Sequence, residues 1–335
     1  MITDLIQKMI DRVDLSEQEA RDAMQEIMTG QSTDAQISGF LTALRMKGET
    51  AQELIGFARV MRERAEPLWN GEVLQVLDTA GTGGDRLGTF NISTAAAFVA
   101  AGAGVRVAKH GNRSATSRCG SADVMEALGL DIQMPMERLR RAIKDIGMGF
   151  LFAQRFHTSM KHVMPTRTQL KIRTVFNILG PLASPAAACF QIVGVSSPEI
   201  MELMANALQG LGLEHAFVVH GANGMDEVSI SSRTYVVEIR GDEIRQFVMT
   251  PEDFGISSAR IETIVGGDAA ENAKIIEAIL RGERGPRRDV VLLNAAPAIV
   301  AGGAAKTWKE GIQLAADSID SGTALKKLEE LRAFV

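Results

Sequence analysis

One run constrains this chain more than any other: VLQVLDTAGTGGDRLGTFNISTAAAFVAAGAGVRVAKHGNR, residues 73–113. A short apolar stretch, a glycine-rich turn, an alanine-rich stretch and a second apolar stretch read as strand, turn, helix, strand. Two strands joined through a helix lie parallel, so the run predicts a βαβ unit and with it a sheet covered by helices. Gly81, Gly83 and Gly84 allow positive φ and let the backbone approach a ligand closely. Asn91, Ser93 and Thr94 fall where the helix begins and offer polar side chains beside its unpaired N–H groups. Such a turn suits an anion, and phosphate above all, because free amides and the helix dipole supply positive charge without a cation. Two familiar phosphate turns are excluded. GxxxxGK[ST] is absent, and GxGxxG would need glycine where the chain has Arg86.

The second strand runs into Lys109-His110-Gly111-Asn112-Arg113-Ser114. Parallel strands present their C-terminal ends on one edge, so this loop and the glycine turn are expected to line one crevice. Lys109 and Arg113 would meet phosphate charge there, Arg113 through two parallel hydrogen bonds. Asp85 suits a ribose hydroxyl or a metal-bound water, and equally a turn-forming aspartate. Farther on, PTRTQLKIRTVFN predicts a helix over 165–177 opened by Pro165, with Arg167 and Lys171 four apart on one face. Asp226-Glu227 follow the apolar run AFVVHG and a turn, again at a strand end. Two adjacent carboxylates match magnesium, which takes oxygen ligands and keeps several waters. No His or Cys spacing suggests zinc; His157 and His162 are five apart and off a common helical face.

Residues 1–67 read as wholly helical, with capping boxes at Ser16–Glu19 and Thr50–Glu53 and stops at Gly30, Gly48 and Pro67. From about residue 73 short apolar runs alternate with helical stretches: VLQVLD, VRVAKH, FLFA, FQIVGV, AFVVHG, YVVEI and DVVLLNAA. The expectation is an α/β fold class: an N-terminal helical domain, 1–67, joined by the helical segment at about 165–185, and a larger α/β domain over 70–335 with a mostly parallel central sheet. With 335 residues the chain can bury a large core without disulfides. Lys and Arg number 36 against 41 Asp and Glu, a net charge of −5, which argues against nucleic acid as the main partner. Two cysteines, Cys119 and Cys189, form no framework and point to a reducing, cytoplasmic setting. The uncharged stretches at 87–105 and 174–198 carry polar residues or prolines and read as protein interior, not membrane.

These blocks together carry a family resemblance. GTGGD at 81–85, TFNIST at 89–94, KHGNR at 109–113, GSAD at 120–123, MPTRTQLKIRT at 164–174, NxLGPL at 177–182 and GMDEVS at 224–229 resemble the anthranilate phosphoribosyltransferase family. The resemblance implies a nucleoside phosphorylase/phosphoribosyltransferase-like fold and transfer of a phosphoribosyl group from 5-phosphoribosyl 1-pyrophosphate to anthranilate in tryptophan biosynthesis. It implies that Gly81, Gly84, Asp85, Thr89, Asn91, Ser93 and Thr94 hold the phosphoribosyl pyrophosphate. Lys109, His110, Gly111, Asn112, Arg113, Ser114, Ala115, Thr116, Ser117 and Ser121 would complete its cradle. Gly81, Asn112 and Arg167 would contact anthranilate, Arg167 facing its carboxylate, and Ser93, Asp226 and Glu227 would hold Mg2+. A homodimer through the helical domain is also implied. Departures are Arg86, where glycine is frequent, and Ala115 and Thr116, where valine or serine is common.

The chemistry is consistent with the absence of a Ser-His-Asp set. Displacing pyrophosphate from an anomeric carbon builds positive charge on the sugar and negative charge on the leaving group, so positioning and charge stabilisation, with Lys109 and Arg113 as the cations, are the expected means. A pyrimidine nucleoside phosphorylase shares the expected architecture, but KHGNR and the Asp-Glu pair favour the phosphoribosyltransferase. A non-catalytic anion-binding relative would be expected to be basic and to lack the acidic pair or the glycine turn.

Overall fold

A computed structural model of the protein describes residues 1–71, 73–114 and 118–334. Four helices open the chain: α1 (Ile2–Ile10), α2 (Glu17–Met28), α3 (Asp34–Lys47) and α4 (Ala51–Arg64). Both expected capping boxes form, Ser16 with Glu19 and Thr50 with Glu53, and Thr33 with Gln36 makes a further one. A Cβ at Gly56 of α4 would lie 2.5 Å from the Glu17 carbonyl and 2.8 Å from the Ala20 Cβ of α2, so this glycine sets how closely the two helices pack.

The α/β part holds a seven-stranded sheet in the order β3-β2-β1-β4-β5-β6-β7. Its strands are β1 (Leu77–Asp78), β2 (Val107–Gly111), β3 (Met148–Phe152), β4 (Phe190–Gly194), β5 (His215–Gly221), β6 (Thr234–Arg240) and β7 (Glu243–Met249). The first five run parallel, and β6 and β7 add an antiparallel edge. Helix α5 (Ile92–Gly102) crosses from β1 to β2 as the βαβ reading requires, its alanine-rich body almost wholly buried. Two apolar cores result. One lies among α5, the first strands and the C-terminal helices. The other is shared by α1–α4, residues 175–183, the opposite face of β4–β6 and the helix Met201–Gly210. The helical part is seated on the helix Met201–Gly210: a Cβ at Gly210 would meet Ile55 Cδ1 of α4 at 2.3 Å.

Two local expectations are corrected, and one strand has no counterpart in the sequence reading. DVVLLNAA is not a strand but lies inside the helix Pro286–Ala301, opened by Pro286 and buried almost all round. A short apolar run does not tell a buried strand from a buried helix. The edge strand β7, EIRQFVM, mixes charge with apolar residues because it is largely exposed, and it escaped notice. The helix expected over 165–177 stops early: it spans Met164–Leu170, and Lys171 takes a left-handed conformation at φ 52°. Lys171 is therefore its C-cap and shares no continuous helical face with Arg167. A separate 3₁₀ turn, Val175–Asn177, follows, with the Asn177 side chain accepting from Thr174 N.

Candidate active site

The C-terminal edge of the parallel strands gathers most of the expected residues around a cavity of about 290 Å3, walled by Gly81 and Gly83, Asn91, Ser93 and Thr94, Lys109–Asn112, Ser121 and the Asp226-Glu227 pair. Close backbone packing builds its floor. A Cβ at Gly81 would come within 3.0 Å of the Gly194 carbonyl, and one at Gly194 would fall 1.6 Å from the Asp226 carbonyl. The glycine turn, the end of β4 and the acidic loop are therefore stacked with no room for a side chain. Thr82 N donates to Gly194 O at 2.9 Å and adds to this stack. Gly111 is likewise forced, since a Cβ there would overlap Ser121 Oγ at 2.2 Å. Asn294 fixes the acidic loop from the Pro286–Ala301 helix: its Oδ1 accepts from Val228 N and its Nδ2 donates to Val228 O. Sequence reasoning missed Asn294 because its segment was read as a strand.

The start of α5 differs from expectation. Its first amides are already used: Ile92 N donates to Phe90 O, Ser93 N to Glu227 Oε1 at 3.1 Å, and Thr94 N to Asn91 O. The protein's own carboxylate occupies the positive end of the helix, which is electrostatically favourable but removes that end as an open phosphate seat. Asn91 is similarly committed, donating to Cys119 O and accepting from Asn272 Nδ2. Thr94 Oγ1 is buried with no partner among the described residues. Thr89 forms a bridge with Val265. Asp85 accepts from Leu87 N, the turn-forming role, and its carboxylate lies beside that of Asp226.

The two cations also behave differently from expectation. Lys109 is only 2% exposed; Nζ donates to Thr79 O and Oγ1 and to Ser93 Oγ, beneath the cavity rather than at its rim. Burial lowers its pKa, and Asp78 and Glu227 oppose that. Arg113 turns away. Its guanidinium is held by Asp123 and Glu126 and lies over the Phe152 ring, because those two acids stand three apart on the following helix, α6 (Ser121–Ala127). As placed, it offers nothing to a phosphate in the cavity. Ser114 N is taken by Asp123. Ala115, Thr116 and Ser117 lie outside the described residues.

The acidic pair is half-buried at the wall of the cavity. Burial, then the like charges of Asp85 and Glu227, push Asp226 well above the usual carboxylate range. Burial pushes Glu227 up to about 7, against the pull of Lys109 and the Ser93 amide. Carboxylates under this much desolvation and mutual repulsion fit a divalent cation. No set of three or more His, Cys, Asp or Glu suited to a metal occurs among the described residues. Magnesium typically takes one or two carboxylates and completes its shell with water and phosphate oxygens.

A second cavity, about 410 Å3, adjoins the first and shares His110, Asn112, Ala153 and Gly180 with it. Its lining is largely apolar, including Met61, Met160, Met164 and Phe176, with Arg167 as one cation. Arg167 lies over the Phe176 ring at 5.3 Å, and burial lowers its pKa. His110 and His157 meet edge to face at 5.3 Å. Burial lowers both, His110 to about 3 and His157 to about 4. Because a carbonyl only accepts, the 3.3 Å contact between His110 Nδ1 and Gly180 O places the proton on Nδ1 and leaves Nε2 as an acceptor. No local pattern marks His157, because His162 is off its helical face and its partner across the fold is His110.

Known proteins match both parts. A glycosyl transferase family helical bundle domain matches residues 3–65, and a glycosyl transferase family a/b domain matches residues 74–325. The anthranilate phosphoribosyltransferase of Symbiobacterium thermophilum is 53% identical, covering 98% of this chain and 96% of its own. The enzyme of that name from Geobacter sulfurreducens is 50% identical, covering 99% and 98%. Among solved structures, the anthranilate phosphoribosyltransferase of Thermus thermophilus superposes with a TM-score of 0.93 at 45% identity, covering 99% of each chain. That of Saccharomyces cerevisiae, solved in complex with PRPP and Mg, gives 0.90 at 31% identity, covering 99% and 97%. Identity at this level runs through the helical bundle as well as the sheet, and on that ground the chain belongs to the anthranilate phosphoribosyltransferase family.

Proposed function

We propose that the two adjoining cavities are the two substrate sites of the family's reaction, in which the phosphoribosyl group of 5-phosphoribosyl 1-pyrophosphate passes to the amine of anthranilate. Pyrophosphate leaves and N-(5-phosphoribosyl)anthranilate forms, in tryptophan biosynthesis. The observation that carries the assignment is the junction at His110, Asn112 and Gly180, where the more polar cavity beside the glycine turn meets a mainly apolar one with a single arginine. The first suits a phosphorylated sugar; the second suits a flat aromatic acid, Arg167 facing the carboxylate and Phe176 supporting the guanidinium.

The amine lone pair attacks the anomeric carbon as the bond to pyrophosphate breaks, and the amine then gives up a proton. A histidine held at about 3 is a poor general base, and His110 Nε2 is itself buried, so the amine proton passes to water and not to His110. Ser93, Asp226 and Glu227 would hold Mg2+, which supplies charge neutralisation for the pyrophosphate. Lys109, beneath Ser93, holds positive charge under the same site. The transfer needs no covalent intermediate, and trapping a ribosyl-enzyme adduct would contradict it.

A homodimer through the helical part is supported by exposed Met1, Ile10, Val13 and Met46 on or beside α1 and α3. Light scattering tests it, and a monomer mass would refute it. Cys119 and Cys189 form no disulfide among the described residues and fit the reducing cytoplasm, and no helix among the described residues is long and apolar enough to cross a membrane. The decisive experiment follows loss of anthranilate fluorescence with phosphoribosyl pyrophosphate and magnesium, omitting each in turn. Loss in the complete mixture alone, with the expected product mass, is the predicted result. No loss by folded protein would refute the acceptor assignment.

A further inference from the structure

Beyond magnesium and Lys109 beneath Ser93, the expected residues bring no cation to the glycine turn. Thr82 N and Leu87 N are bonded within the protein, but no acceptor among the described residues meets the amides of Gly83 or Gly84, and both glycines are exposed. Those amides are the open anion donors of the crevice, the start of α5 being occupied by Glu227 and by the chain's own carbonyls. Asp85, Asp226 and Glu227 stand nearby, so a bound pyrophosphate needs positive charge close at hand. Lys109 is buried on Thr79 and Ser93, and Arg113 is held by Asp123 and Glu126.

Arg173 lies against the turn. Its Nη1 and Nη2 would both be 3.2 Å from a Cβ built on Gly84, so the guanidinium rests against that glycine. Nη2 donates to Ser196 Oγ at 3.4 Å, and no carboxylate among the described residues pairs with it. The left-handed turn at Lys171, which ends the helix sooner than its sequence suggests, lies just ahead of Arg173. Arg86, within the turn, also lacks a carboxylate, but no hydrogen bond among the described residues fixes its side chain.

We propose that Arg173 binds the pyrophosphate of the phosphoribosyl substrate at the Gly83-Gly84 turn and receives the charge of the leaving group. The proposal rests on the assignment of the first cavity to phosphoribosyl pyrophosphate. As the bond from the anomeric carbon to oxygen breaks, its electron pair stays with the pyrophosphate; the new bond comes from the amine lone pair and the amine proton passes to water. A guanidinium offers two parallel N–H donors to the departing oxygens, which the turn amides also meet.

The test compares wild type, Arg173→Lys and Arg173→Gln, each with magnesium present. Pyrophosphate binding is read by calorimetry, KM for each substrate by steady-state kinetics and folding by thermal melting. Arg173→Gln is expected to weaken pyrophosphate and raise KM for phosphoribosyl pyrophosphate, each roughly tenfold to a hundredfold, with KM for anthranilate and the melting temperature little changed. Arg173→Lys should recover part of the loss. If wild type binds pyrophosphate and Arg173→Gln binds it equally well, the proposal is overturned while the site assignment stands. A variant that melts earlier and turns over more slowly with pyrophosphate binding intact would make Arg173 a structural latch, which also overturns it. Wild type that binds neither pyrophosphate nor phosphoribosyl pyrophosphate would remove the site assignment itself.

Discussion

Arg167 is the residue whose removal should separate the two substrates. It is partly buried, rests on Phe176 and is the arginine of the mainly apolar cavity. Arg167→Ala should raise KM for anthranilate about tenfold or more, the scale of one charged hydrogen bond, and leave phosphoribosyl pyrophosphate far less affected. Equal losses for both substrates would remove it from the acceptor site. Arg86 makes an opposite case. It sits at φ 62°, where a Cβ is strained and glycine is not. Arg86→Gly should therefore relieve a backbone strain of about 1 kcal/mol, partly offset by greater freedom in the unfolded chain. Chemical denaturation with an unchanged or lower midpoint would contradict that.

At the scale of elements, the site depends on three segments meeting without side chains between them. Gly194→Ala places a methyl carbon into the Asp226 carbonyl at 1.6 Å, so the end of β4 or the acidic loop must move. The expected outcome is a folded protein with at least about tenfold weaker magnesium dependence, the misplacement of a positioned group being costly even at 1 Å. A magnesium titration like that of wild type would show the loop tolerates the shift. Asp226→Asn and Glu227→Gln should weaken the same dependence directly. The glycine turn, the βαβ unit and the acidic pair were legible because each is a local pattern at a strand end. The neutralisation of Arg113 was not, because Asp123 and Glu126 are ten and thirteen residues away and meet it only in the tertiary structure.

For the molecule as a whole, the buried histidine pair couples stability to pH. His110 and His157 are held neutral, at about 3 and about 4 against an ordinary 6.5, by burial under the helical part. Below pH 6.5 the unfolded chain takes up protons that the folded chain refuses, so stability is intact above that pH and falls as the pH drops toward 4. Each histidine contributes a slope of at most about 1.4 kcal/mol per pH unit. His157→Gln should flatten the fall, read from denaturant midpoints between pH 4.5 and 7, and an unchanged slope would show that other groups govern it. Asp78, Arg62, Lys109 and Gly180 are the charged or polar neighbours that define this pocket and are retained in the variant.

The sequence by itself determined the fold class, the helical opening, the glycine turn and the residues at the strand ends, since periodicity, capping and turn chemistry act over a few neighbouring residues. It also determined the family, through an ordered set of short blocks. Only the tertiary structure decided which charged groups are available. It put Glu227 on the start of α5, buried Lys109 under Ser93, paired Arg113 with α6 and brought Arg173 to Gly84. Those outcomes depend on distances between segments far apart in the chain, and an ionic side chain is claimed by whichever partner the fold brings nearest.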